Sequence, residues 1–178
     1  MLILFKMKKV KIISTILFYP VRILAIVYLI VTLYSAISVF TEWSYITREN
    51  GNNFSVCYPF TDTPFLNGHN SWGYKLFNFL IPIGFIGIFF LILSNIFNVF
   101  RQQRLFTFYG VKQLKWFCLI NIFILPVNIL LASVFSGEIE EGLDIVAVVV
   151  FILGIFSFFL AAIFKQGLNL QNEQDLYI

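Results

Sequence analysis

Apolar residues gather into four blocks along this chain, at about 23–40, 77–100, 117–135 and 145–164, and no block contains Asp, Glu, Lys, Arg or His. A helix rising about 1.5 Å per residue needs roughly 20 residues to cross a hydrocarbon core of roughly 30 Å, and each block is close to that length. The pattern therefore predicts four membrane spans. Polar and charged positions fall between them, in an N-terminal flank, a long link at 41–76, a basic link at 101–116, an acidic link at 136–144 and a tail at 165–178. The predicted fold is all-α, an antiparallel four-helix transmembrane bundle making a single membrane domain over 1–178. The short link at 136–144 makes spans three and four neighbours. Gly84 and Gly87 in span two, and Gly154 and Ser157 in span four, allow close backbone approach.

Charge gives the bundle a direction. Lys6, Lys8, Lys9, Lys11 and Arg22 precede span one, Arg101, Arg104, Lys112 and Lys115 lie between spans two and three, and Lys165 follows span four; only Arg48 and Lys75 fall elsewhere. The link at 136–144 carries Glu138, Glu140, Glu141 and Asp144 and no base. Because Lys and Arg near span ends stay on the cytoplasmic side, both termini are predicted to be cytoplasmic and the 41–76 and 136–144 links external. The expected location is the cell membrane, multi-pass, with the lipid bilayer as first partner. Composition agrees: 60% apolar residues, 12% charged residues and a mean hydropathy of +0.89 lie outside the soluble globular range.

The basic start could suggest a cleaved signal peptide, but apolar character continues from Ile12 to Phe40, interrupted only by Tyr19, Pro20 and Arg22, well beyond a signal's h-region of roughly 7 to 15 residues. A signal anchor is the better reading. One straight helix over that range would be about 43 Å long, so the expectation is that Lys8 to Tyr19 lie along the inner interface and Pro20 turns the chain inward.

The 41–76 link is rich in aromatic residues and carries Gly, Asn and Pro between them, which argues for order, since disordered segments are poor in aromatics. Asn53 to Phe60 alternates as a short strand would, which fits a strand pair. Its simplest role is an aromatic cap at the headgroup level, where Trp and Tyr concentrate; the sharper role is external recognition of a ligand or lipid, with Trp43, Tyr58, Phe60 and Trp72 as candidates. Cys57 and Cys118 fall on opposite sides of the bilayer and cannot pair. Cys57 and the single histidine, His69, read as ordinary surface residues of the loop. No spacing of metal ligands exists, so no metal or cofactor is expected. No nucleophile-and-base constellation arises among Cys57, Asp62, His69 and the loop hydroxyls, so no enzymatic activity is expected.

Within the spans, Asn95 and Asn98 lie near the inner end of span two, and Asn121 and Asn128, seven apart, share one face of span three. Interhelical hydrogen bonding accounts for them more simply than a transport path, because no ionisable residue is present in the spans to couple ions. In the inner link Thr107 is placed to cap a helix carrying the apolar stripe Phe108, Val111 and Leu114, leading straight into span three. Its four bases are too few to propose direct nucleic-acid binding, and anionic lipid explains them.

The tail Phe164-Lys165-Gln166-Gly167-Leu168-Asn169-Leu170-Gln171-Asn172-Glu173-Gln174-Asp175-Leu176 resembles the closing pattern of a bacterial membrane family, domain of unknown function 2975. Arg104-Leu105-Phe106-Thr107 with Val111 and Leu114 resembles that family's link before its third span, and Pro59 to Phe65 its external loop. Tyr177 departs from the small hydroxyl residue more usual at its position. The resemblance implies a membrane protein without assigned chemistry, and a cytoplasmic partner such as a small helix-turn-helix DNA-binding regulator. The tail residues that would meet that partner are Lys165, Gly167, Leu170, Glu173, Asp175 and Leu176, with Gly167 expected to loosen the helix. The expected function is a non-enzymatic membrane protein that holds or regulates such a partner; the alternative is a binding or transport module sensing an external ligand or lipid through the aromatic loop.

Overall fold

The computed structural model describes residues 2–48, 51–102, 104–137 and 139–176. Glu138 and Tyr177, cited above, lie outside the described residues. Four long helices follow the four apolar blocks: α1 (Leu2–Thr41), α2 (Ile81–Arg101), α3 (Phe108–Phe135) and α4 (Leu143–Leu176). Each is long and apolar enough to cross a membrane. They pack antiparallel, α1 against α2 and α3 against α4 most extensively, with α2 against α3 as a thinner seam. Side chains on the outer faces, such as Ile30, Leu130 and Ile152, are exposed. That is the arrangement expected where the solvent is lipid.

Between α1 and α2 stands a three-stranded antiparallel sheet in the order β1 (Tyr45–Arg48), β2 (Asn53–Cys57), β3 (Pro64–His69). The sequence suggested a strand pair; a third strand joins it because β2, with Phe54, Val56 and Cys57 buried, is the central strand and needs partners on both edges. Phe54 and Val56 pack on Val39, Phe79 and Leu80, so the sheet is seated on the ends of α1 and α2. Cys57 is consequently 1% exposed, which corrects its reading as a surface residue; both cysteines are free thiols.

Span two begins earlier than its hydropathy suggests, with a π-helical segment at Tyr74–Leu80 running into α2. Pro82 in the first turn of α2 supplies no N–H to the Asn78 carbonyl and would crowd it in α geometry; the wider turn, in which Ile81 N–H reaches the Leu76 carbonyl, relieves that conflict.

Two other expectations change. Pro20 does not turn the chain, since α1 is helical throughout Leu2–Thr41. A proline removes only one hydrogen bond from a helix of 40 residues, and Phe18 and Tyr19 beside it are held under Arg101 of α2, whose guanidinium lies 4.6 and 5.3 Å from the two ring centres. Gly167 does not loosen α4, which continues to Leu176. Its missing side chain instead admits the Phe106 ring, 2.7 Å from where a Cβ would stand.

The helix entering span three forms as its sequence suggests. Thr107 Oγ1 accepts from Gly110 N–H at 3.1 Å, and Val111 and Leu114 are buried. Thr107→Ala should therefore lower stability by about 1 kcal/mol, read as a shifted thermal midpoint in detergent; Thr107→Ser should retain the cap.

Candidate functional site

Antiparallel packing gathers the basic link, the starts of α1 and α3 and the ends of α2 and α4 at one end of the bundle, with the sheet and the 136–142 link at the other. The first is the basic end and the second the capped end.

At the basic end Arg22 connects helices instead of flanking them. Its guanidinium donates to Ser94 Oγ at 3.2 Å and Asn95 Oδ1 at 2.9 Å, and Asn95 Nδ2 donates to Gln113 Oε1 at 3.3 Å. Three helices are joined through one polar chain, and the charge is spread over neutral acceptors. Below it, Ile92, Ile96, Val99, Val111, Leu114, Phe117, Ala161 and Phe164 form the bundle's largest apolar core. Phe106 from the link stands edge-on to Phe164 at 5.3 Å. The tail residues are placed by this packing. Leu168 joins the core and Gly167 lies under Phe106. Lys165, Leu170 and Glu173 face outward. Asp175 and Leu176 end the helix, their side chains outside the described residues.

At the capped end the four aromatic candidates do not form one site. Trp43 meets Phe60 edge-on at 5.7 Å and Tyr34 at 5.9 Å, whereas Tyr58 pairs with Phe65 and Trp72 with Phe40. Phe60 is 89% exposed at the tip of a turn with φ +62°. Pro59 precedes it, and Thr61 N–H returns to the Tyr58 carbonyl. A left-handed residue after proline is the type II turn requirement that glycine usually meets.

Sequence reasoning missed two features here. Lys75 Nζ lies 5.0, 5.6 and 5.3 Å from the ring centres of Tyr45, Phe54 and Trp72, so this base of the capped end is held by aromatic faces. An open hollow of about 410 Å³ on β2 and β3 is lined by Asn53, Ser55, Asn67, His69 and Tyr74, none of them among the four candidates. His69 Nδ1 is 3.2 Å from Asn53 Oδ1 on its rim. Only strand register brings these residues together, and register is not legible in a 36-residue loop.

The asparagines divide. Asn128 Nδ2 donates across the seam to the Phe77 carbonyl at 2.7 Å, as expected for interhelical bonding. Asn121 Nδ2 instead returns to Phe117 O of its own helix at 2.8 Å, because Gly154 brings α4 too close to leave room for another partner. The Asn98 side chain has no hydrogen-bond partner among the described residues. Among those residues no group of three His, Cys, Asp or Glu is placed to hold a metal.

Three of the four apolar helices, the Phe106 link folded over Gly167 and the extended end of α4 all fall within one matched region: residues 60–178 fit the family described as Protein of unknown function (DUF2975). The chain belongs to this family. The DUF2975 region takes in β3, the π-helical segment and α2 to α4, and leaves α1, β1 and β2 outside it. No curated protein and no solved structure matches the chain.

Proposed function

We propose that this protein is a non-enzymatic membrane anchor that holds a cytoplasmic protein through the end of α4. One observation carries the reading. Leu143–Leu176 is an unbroken helix of 34 residues, about 51 Å at 1.5 Å per residue, where roughly 20 residues suffice to span the hydrocarbon. Its last turns therefore form a stalk beyond the apolar run. On that stalk Leu170 is 61% exposed among Asn169, Asn172 and Glu173. A large apolar residue exposed on a polar, solvent-reaching helix is one anchor for a partner's groove. Leu168 and Gly167, packed on the bundle, fix the stalk's direction.

The cytoplasmic side is assigned from the ten bases at that end, and the kind of partner from family resemblance, which points to a small helix-turn-helix regulator. The outer aromatic residues we assign to the headgroup belt, because their rings pair with one another and with α1 and do not converge on a pocket. Co-expression with a small helix-turn-helix protein encoded beside this chain, followed by purification through the membrane protein, tests the reading. Leu170→Glu, or removal of 169–178, should lower recovery of the regulator about tenfold while the four-helix bundle remains monodisperse. Equal recovery from both variants overturns it.

A further inference from the structure

We propose that the cleft between α3 and α4 at the basic end is a binding site for one anionic phospholipid, with Lys115 and Lys165 holding its phosphate. The cleft has a volume of about 440 Å³, with Cys118 and Leu119 of α3 on one wall and Phe158 and Ala162 of α4 on the other. That size is within the range of small-molecule sites. One lysine from each helix completes its lining, and no acidic residue lines it. Neither lysine has a hydrogen-bond or ion-pair partner among the described residues. A second hollow of about 240 Å³ shares Lys115 and Leu119 and adds Lys112 and Trp116.

The chemistry of the lining selects the ligand. An ammonium group is a compact point charge suited to a single phosphate. The rest of the wall is apolar and continuous with side chains that face lipid: Leu119 is 48% and Phe158 60% exposed. A soluble phosphate would satisfy the lysines and leave that apolar wall wet, whereas a phospholipid satisfies both, with its acyl chain along Leu119 and Phe158. Trp116, 50% exposed beside the second hollow, is an indole at the level where headgroups meet chains. Ala161 and Ala162 keep the α4 wall low enough to admit a chain. Basic clefts between membrane helices on the cytoplasmic side recognise anionic headgroups by this combination. The site is independent of whether the stalk holds a protein.

The experiment uses the full chain in phosphatidylcholine nanodiscs doped with a photoreactive phosphatidylglycerol, with labelled peptides mapped. Label should concentrate around Leu119 and Phe158. Lys115→Gln with Lys165→Gln should lower it by about tenfold or more, at roughly 5-fold for each lysine, and Lys115→Arg with Lys165→Arg should retain it. The pair Lys8→Gln and Lys11→Gln, removing equal charge elsewhere at the same end, should leave it unchanged. Equal labelling of the Lys115/Lys165 Gln pair, equal loss in the Lys8/Lys11 pair, equal labelling by a photoreactive phosphatidylcholine, or displacement by millimolar glycerol phosphate would each overturn the proposal. If the Gln pair does not fold, Ala162→Leu, which fills the cleft at constant charge, should lower labelling, and unchanged labelling then refutes the site.

Discussion

Phe54→Ala will unfold the three-stranded cap, at a cost of about 3–5 kcal/mol. Phe54 is fully buried, stacks on Tyr45 with ring centres 5.5 Å apart and meets Phe79 edge-on at 5.1 Å. Gly68 opposes it across β2 and β3, and a Cβ there would stand 2.7 Å from the ring. The ring thus fills the space between sheet and helix ends. The magnitude depends on where the residue lies. Within lipid an apolar side chain gains little by turning inward, because the surroundings are as apolar as the interior. The sheet stands beyond the apolar spans, where burying an aromatic ring removes it from water and the full hydrophobic term applies. Two of the three tryptophans, Trp43 and Trp72, belong to this end. Their emission should therefore report loss of the cap at a lower temperature in the variant, while far-UV circular dichroism retains the four helices. A change below about 1 kcal/mol would show that the sheet does not rest on this ring.

Gly73→Val has the second large effect, for a steric reason. A Cβ at residue 73 would collide with the carbonyl oxygen of Phe135 and stand 2.8 Å from its carbonyl carbon. Both are backbone atoms, so no change of rotamer relieves the contact. The end of α3 must move away from the π-helical segment. That movement parts Asn78 Nδ2 from Ser136 Oγ, now 2.8 Å, and the Glu140 amide from Asn78 Oδ1, now 3.2 Å. It also disturbs the Phe77–Phe135 stack. Overpacking of this kind costs about 1–3 kcal/mol, and loss of these two Asn78 hydrogen bonds adds about 1–3 kcal/mol. The thermal midpoint should fall, and hydrogen exchange at the Glu140 amide should accelerate. Gly51→Ala is the comparison: nothing lies within 4 Å of a Cβ there, and only its φ of +91° opposes the substitution. Its cost should stay near 1–2 kcal/mol, with Glu140 exchange unchanged. Equal protection of Glu140 in Gly73→Val and the native chain would refute the close approach.

The four spans, the Thr107 cap and the small residues of spans two and four are local features. Length, periodicity and residue size express them directly, and Gly84 and Gly87 do bring α2 against Thr32 and Leu29 of α1. What sequence reading missed depends on partners far along the chain. Arg22 looks like one more flanking base until Ser94 and Asn95, more than seventy residues away, are placed beside it. Gly167 looks like a helix breaker until Phe106 is seen to occupy its missing side chain. Cys57 looks exposed in a loop because its burial depends on a third strand that local alternation did not reveal. At the candidate sites the same division holds. Leu170 and Glu173 are legible because a helix presents them wherever it runs, whereas the cleft at Lys115 and Lys165 exists only once α3 and α4 are paired.

The thin seam between α2 and α3 has a consequence for biogenesis. All three strands lie between α1 and α2, so the first hairpin holds its sheet and its most extensive helix contact without any residue from the second. As the chain leaves the ribosome, that hairpin can close while α3 and α4 are still unmade, since its sheet and its α1–α2 contacts lie within residues 2–101. The second hairpin closes through its own seven-residue link, 136–142, and then has only to dock. Docking is completed by contacts such as Asn128 with Phe77 and Asn95 with Gln113. Insertion in this order pairs the first two helices before the second pair is complete.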